Sequence, residues 1–423
     1  MAKRGHLDIK PIKPIKPAMK PSIRFFSSIT SFSIALLLIF SSCNNQDGND
    51  AHSIEFALDN CKDMPLSTYA SKIEYLPLET NRNSVMEAVS DVDTDGELLY
   101  TFCKYAPQKV YVFDMQGHFV NEIDKNGRGP GEYTSVLDFH LEKDLQKTYI
   151  SLVTADARIL SYNVDGDCVR EVNLNLPKRS RITSSAYISN GRYAIVTASY
   201  VIDREKRQTI ADSRKLTIID TTGKLLYEKV LAISKPTHKE YYDRGHFAYS
   251  YNGNLRMSTG MESRDSLMVF NDQMEVISNH IFDFGQLRPD INENGAQIIH
   301  RWNIETDSFI KFQVSASWES MTKIYPENRG KRGHTTSMYL DKETNELFTI
   351  PYNYDFSLDG FTNDIDQGVP FVPIFVSGNK MYQPVQAEKF IEYAHMSNSP
   401  KMKEIAATLT EESNPVLIVA TLK

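Results

Sequence analysis

One phrase recurs along this chain, and it restricts the fold more than any other feature. Val110-Tyr111-Val112-Phe113-Asp114-Met115-Gln116-Gly117-His118-Phe119-Val120 is an apolar run, a tight turn and a second run. The same grammar returns at Ile159–Val169, at Leu216–Leu226 and, in a worn form, at Leu267–Ile277. An Asp or Asn opens each turn, where its side chain bonds turn backbone, and a Gly supplies the positive φ of a tight hairpin. Gly117, Gly166, Gly223 and Met274 hold the equivalent slot, at separations of 49, 57 and 51 positions. Self-similarity at that period means repeated four-stranded β-units, and so a propeller. The phrase is then the outer hairpin of each blade.

Two further units are expected at Phe309–Tyr325 and Ser337–Phe348, which makes six blades. Ring closure needs the chain ends to meet. Ile73–Leu78 and Pro415–Leu422 are both strand-like, and at least one should complete a blade from the far end of the chain, hiding a strand edge. Ala387, Phe390, Ile391 and Ala394 are spaced as one apolar helical face, with Pro400 interrupting and a further turn or two near Lys403–Leu409. The fold class is therefore all-β: a six-bladed β-propeller with a short C-terminal helix and a terminal closing strand.

The amino-terminal end reads as an address. Ile34–Phe40 is an apolar run too short to span a bilayer but long enough for a signal-peptide core. Ser41-Ser42-Cys43 follows, which resembles a bacterial lipoprotein signal in which Cys43 takes lipid and becomes the new terminus. Lys10–Pro17 is a basic, proline-rich repeat that cannot be helix, so Met19 is the expected true start. The division is 1–42 as signal, 43–70 as lipidated tether and lead-in, and 71–423 as one propeller domain. Residues 1–42 hold seven of the 47 Lys/Arg and one of the 54 Asp/Glu. The remainder thus carries 40 bases and 53 acids, net −13 with His neutral. That balance argues against nucleic acid, which wants a basic face. Cys61, Cys103 and Cys168 fit no metal spacing, although a Cys61–Cys103 bridge is permissible in an oxidising compartment.

Three loops are candidates for chemistry. Asn126-Gly127-Arg128-Gly129-Pro130-Gly131-Glu132-Tyr133 builds a tight turn, yet it lacks the Lys-Ser/Thr ending of a phosphate loop. Arg128 could grip a carboxylate at the mouth of the ring, with Glu132 and Tyr133 beside it; the alternative is a structural connector. Tyr352, Tyr354, Phe356 and Phe361 lie among polar turn residues as a platform for a sugar ring or peptide, or as plugs under a long loop. Asp364 and Asp366, near Asn363 and Asp359, offer the oxygen ligands Ca²⁺ prefers, or act as solvated turn formers. The histidines assemble no catalytic group, and no Gly-x-Ser-x-Gly elbow is present.

The Gly127–Tyr133 string resembles the signature of six-bladed β-propeller lipoproteins of Bacteroidota. So do the Leu76-Pro77-Leu78-Glu79-Thr80 opening, Asn363-Asp364-Ile365-Asp366 running to Phe371-Val372-Pro373, and Asn414-Pro415-Val416. The resemblance spans nearly the whole chain after residue 42 and implies a ring related in shape to NHL-type and TolB-type propellers. Gln367 departs from it, standing where a second Gly is common, and the fourth hairpin lacks its turn Gly. The resemblance implies an envelope address, expected to be the outer membrane, without implying a reaction.

The first functional expectation is a monomeric, lipid-anchored, non-catalytic scaffold that binds an envelope protein, peptide or glycan and needs no cofactor. Its contacts would be Arg128, Glu132, Tyr133, Tyr352 and Tyr354. The rival is a Ca²⁺-dependent hydrolase or lyase in the central channel, using Asp364 or Asp366. Family context alone suggests a third reading, a sensor or assembly partner for glycan uptake.

Overall fold

The structure is a computed structural model and describes residues 50–55, 60–143, 147–203, 208–234, 247–259, 265–283, 297–315 and 335–423. The chain divides into two compact units, Met1–Asp47 and Gly48–Lys423. The signal segment and Cys43 lie outside the described residues.

Unit two is a six-bladed β-propeller. Blade 1 is Asp91–Thr94, Leu98–Cys103, Lys109–Asp114 and Phe119–Ile123; blade 2 is Val136–Lys143, Thr148–Thr154, Arg158–Tyr162 and Cys168–Asn173. Blade 3 is Ser180–Ile188, Arg192–Asp203, Gln208–Asp220 and Leu225–Ser234; blade 4 is Phe247–Tyr251, Asn254–Thr259, Asp265–Phe270 and Val276–Asp283. Blade 5 is Gln297–Glu305, Phe309–Ser315, Thr335–Asp341 and Leu347–Thr349. Blade 6 joins both ends of the chain: Phe375–Ser377, Lys380–Val385, Val416–Leu422 and, outermost, Ala70–Pro77. The first strands of the blades contact one another around the axis.

Alternation explains why such strands read as unbroken apolar runs. In Lys109–Asp114, Val110 and Val112 pack towards blade 2, while Tyr111 and Phe113 pack towards blade 6. Both faces of the strand are buried, so both sets must be apolar. Six apolar clusters result, one in each interface between neighbouring blades.

The four copies of the repeated phrase are the outer hairpins of blades 1 to 4, as expected. Asp114 Oδ1 accepts from the amides of Gln116 and His118 at 2.9 Å each. Asp220 and Asn271 repeat the arrangement. Gly117 has φ +87°, and a Cβ there would lie 2.4 Å from the Pro77 carbonyl oxygen, on the outer strand of the preceding blade. Met274 adopts φ +64° in the same slot, and its side chain is buried between blades 3 and 4.

One expectation needs correction. Phe309–Ser315 and the Ser337–Phe348 unit are not separate blades: they are the second strand and the outer hairpin of blade 5. The sixth blade instead comes from ring closure, where Ala70–Pro77 pairs antiparallel with Val416–Leu422. Within the lead-in to residue 70 the chain is already joined to the ring. Asp50–Glu55 adds a parallel fifth strand to blade 4, from Asp50 opposite Ser278 to Glu55 opposite Asp283. Asn60 and Lys62 then bond Thr349 on blade 5 through 2.9 Å backbone contacts. The C-terminal helical stretch, interrupted before Pro400 as expected, is two helices, α1 (Ala387–Met396) and α2 (Pro400–Ala406), inserted within blade 6. Ser399 caps α2 by accepting from the Met402 amide, with Pro400 in the first helical position. Cys61, Cys103 and Cys168 are all free thiols.

One charged side chain sits inside the interface of blades 5 and 6. Lys311 is 2% exposed, lies opposite Tyr339 on the next strand, and donates Nζ–H to the Pro373 carbonyl at 2.6 Å. Burial pushes its amine down to about 8, against the attraction of Asp359.

Candidate functional site

The glycine-rich string joins the outer strand of blade 1 to the inner strand of blade 2. Its two arms are tied by the Gly127 amide to the Tyr133 carbonyl and the Tyr133 amide to the Lys125 carbonyl, both 2.9 Å. The glycines fold around one carboxylate: Glu132 Oε2 accepts from the Gly129 amide at 2.7 Å, and a Cβ on Gly127 would lie 1.9 Å from that oxygen. Gly131 needs its φ of +67°, and a Cβ there would meet Cys168 Cβ at 2.8 Å. Arg158 braces the turn from blade 2, donating to the Glu132 carbonyl at 2.8 Å while ion-paired to Asp156 and Glu171.

This accounting separates the three contact candidates. Tyr133 is fully buried, and its hydroxyl donates to the Gln108 carbonyl at 2.7 Å. It is the spine of the loop and has no surface to offer a partner, which corrects its expected role. Glu132 is half-buried and turned inward onto backbone amides. Arg128 alone points outward: it is exposed and bonded to no described group.

Tyr352 and Tyr354 stand edge to face, with ring centroids 5.1 Å apart, and Tyr354 is 43% exposed. The loop beneath is fixed by paired backbone bonds between Asn353 and Leu358 and by Asn353 Oδ1 accepting from the Asp355 and Phe356 amides. Phe356 packs on Tyr393 of α1, and Lys389 lies 5.0 Å above that Tyr393 ring. Phe361, grouped with these aromatics in the sequence, is instead a core residue against Tyr69, Phe309 and Tyr339. Arg128 and the tyrosine pair sit on the blade 1–2 and blade 5–6 connectors respectively, so the ring does not bring them into one site.

Asp364 and Asp366 diverge. Asp364 accepts from the Ser67 amide at 2.9 Å and its hydroxyl at 2.5 Å. Asp366 accepts from Tyr75 at 3.0 Å, Asn363 at 2.8 Å, the Gly368 amide at 3.1 Å and Ser399 at 2.7 Å. Both carboxylates hold the fold together, and no group of three or more metal-ligating side chains occurs among the described residues. The pair therefore lacks the convergent oxygens that Ca²⁺ requires.

Sequence reasoning passed over a polar cluster on the inner strands. Asp91 and Asp93 come from blade 1, Asp138 and His140 from blade 2, Ser185 from blade 3 and Ser377 from blade 6. Lys143 pairs with Asp93 Oδ1 at 2.9 Å, and Ser377 donates to the same oxygen at 2.5 Å. Burial pushes the Asp91 carboxyl up to about 8, aided by the charges of Asp93 and Asp138 and opposed by the Val92 amide. Asp138 Oδ2 accepts both the Ser185 amide (2.8 Å) and hydroxyl (2.6 Å). With that proton committed, His140 Nε2–H donates to Ser185 Oγ at 2.8 Å. The order is Asp–Ser–His, so the imidazole does not receive the serine proton as a nucleophile's base would. The readable signal was period-two polarity: Asp91/Asp93 and Asp138/His140 fall on one side of their strands.

A family described as a domain of unknown function, DUF4934, matches residues 51–421. Among solved structures, a Bacteroides fragilis protein named as a candidate exported protein aligns with a TM-score of 0.61 at 16% identity, covering 88% of this chain and 99% of that one. The WD40 domain of Pan2 from Neurospora crassa aligns at a TM-score of 0.35 and 9% identity, over 69% of this chain and 78% of that one. A puromycin-hydrolyzing peptidase of Mycobacterium tuberculosis aligns at 0.36 and 11%, over 75% and 52%. The first of these likenesses bears on fold alone. No curated protein matches the chain.

Proposed function

We propose that this chain, which belongs to the DUF4934 family, is an exported, lipid-anchored scaffold that binds an envelope protein, peptide or glycan without transforming it. The observation that carries the reading is the division of labour in Gly127–Tyr133. Glu132, Tyr133 and three glycines are spent on a rigid turn, and the side chain left outward is Arg128. A guanidinium on a fixed pedestal suits a carboxylate or phosphate on the partner, since its planar fork loses little freedom on pairing. Tyr352 and Tyr354 form a second, separate contact, whose faces suit a sugar ring or a peptide side chain.

In this reading Cys43 carries the lipid, the ring is kin to NHL-type and TolB-type propellers, and the chain works at the outer membrane. The export assignment of the Bacteroides neighbour supports the address. The test is capture of envelope partners by wild type and Arg128→Ala at equal loading, with thermal unfolding alongside. Loss of capture with an unchanged melting temperature supports the reading. Unchanged capture removes Arg128 from it, and a lower melting temperature makes Arg128 a structural residue.

A further inference from the structure

We propose that the outer rim of blades 3 and 4 rests on the surface of the membrane that carries the lipid anchor; this placement depends on Cys43 being lipidated. Two independent observations meet there. The first is where the chain joins the ring. Asp50 is already paired with Ser278 on the outer strand of blade 4. From Cys43 to Asp50 the chain has seven steps, a reach of about 25 Å when fully extended. An acylated Cys43 therefore keeps the blade 4 rim close to the lipid, whatever path those residues take.

The second observation is what that rim exposes. Leu225, Leu226 and Val230, on the outer strand of blade 3, are 55%, 47% and 55% exposed, and Ile277, adjoining Ser278, is 49% exposed. Both rims border the blade 3–4 interface, since Tyr227 and Leu231 of one strand and Val276 of the other pack on the same apolar cluster. Exposed Lys224 and Lys229 flank the apolar side chains of blade 3, where Glu228 is paired with Lys215 at 2.7 Å; on blade 4 the exposed Glu275, near Ile277, accepts from the Asn271 side chain at 2.9 Å. Apolar side chains edged by lysines match a headgroup layer: the hydrocarbon enters the acyl boundary and the ammonium groups meet anionic phosphates. Single exposed valines on other rims, Val120 on blade 1 and Val169 on blade 2, lack this grouping and serve as internal references.

The lipidated protein is reconstituted into vesicles of phosphatidylethanolamine and phosphatidylglycerol and oxidised briefly by hydroxyl radicals. The expected result is oxidation of Leu225, Leu226, Val230 and Ile277 several-fold slower than that of Val120 and Val169. Mass spectrometry of the same sample reports the acyl mass on Cys43. Lipid present with equal oxidation at both sets overturns the rim placement alone. Absence of lipid on Cys43 overturns the anchor and the placement with it. Protection that fades as the protein is diluted across the vesicles marks a second copy as the occupant, and also overturns the placement.

Discussion

Replacing Lys311 by Met should change the sign of its effect on stability with pH. The folded amine is pushed down to about 8 from an ordinary 10.5. At ~1.36 kcal/mol per unit, the buried ammonium costs about 3 kcal/mol wherever it must stay protonated. Between roughly pH 8 and 10.5 the unfolded chain holds a proton that the folded chain has shed, so wild-type stability from this group rises with pH across that window. Below it the cost is complete; above it the cost is gone. Met fills nearly the same volume with no charge, but it forfeits the 2.6 Å bond to Pro373 and leaves that carbonyl unpaired, a loss of about 1–2 kcal/mol. Lys311→Met should therefore stabilise by about 1–2 kcal/mol at pH 7 and destabilise by a similar amount near pH 10. Urea unfolding of both proteins at pH 7, 8, 9 and 10 reads the difference directly. The buried tyrosines, whose raised pKa values erode stability above pH 10 in both proteins, cancel in the comparison. A difference that stays constant across the series would falsify the assignment of an uncompensated buried amine.

Two further predictions concern single positions. Gly127→Ala should cost about 1–3 kcal/mol, because its methyl displaces the Glu132 carboxylate from the Gly129 amide. Combined with Glu132→Ala it should cost clearly less than the sum, and strict additivity in thermal unfolding sinks the idea that the two touch. Asp91→Asn should stabilise relative to wild type by an amount that grows between pH 4 and 8. The folded carboxyl holds its proton up to about 8, so the wild-type contribution is complete below the ordinary value of 3.8 and is lost as pH rises through 8. Allowing for solvent along the axis, about 1–2 kcal/mol is expected at pH 8. Parallel pH–stability curves for the two proteins would contradict it.

The outer hairpins were legible because their signal is local. Asp114 and Gly117 meet within one turn, so the chain announces each hairpin without reference to the rest of the ring. Blade 5 was harder to read: Asn345 takes the turn position at φ +57° in place of Gly, and Thr335 begins a strand twenty positions after Ser315 ends one. Blade 6 has no phrase to find, since its outer hairpin is divided between residues 70–77 and 416–422. The site shows the same limit. The glycines of 127–131 disclosed a tight turn, but the bracing of that turn by Arg158 and Cys168 comes from blade 2. The polar positions Asp91, Asp138 and His140 were visible as alternation. Which side of a strand meets the axis is decided only when six sheets assemble.

The seam in blade 6 also sets a timetable. Tyr75 finds its partner Ile418 across 343 positions of chain, and all of the intervening strands must exist before that pair can form. Pairings of such span are slow, because the loop must close before any contact rewards it. A chain delivered across a membrane amino-terminus first would expose the Ala70–Pro77 edge throughout its emergence. That edge is a template for wrong partners until the strand at 416–422 arrives. The vulnerable moment of this fold is therefore the wait for its last strand: a clipped chain lacking a few residues of that strand would leave five blades formed and the circle open.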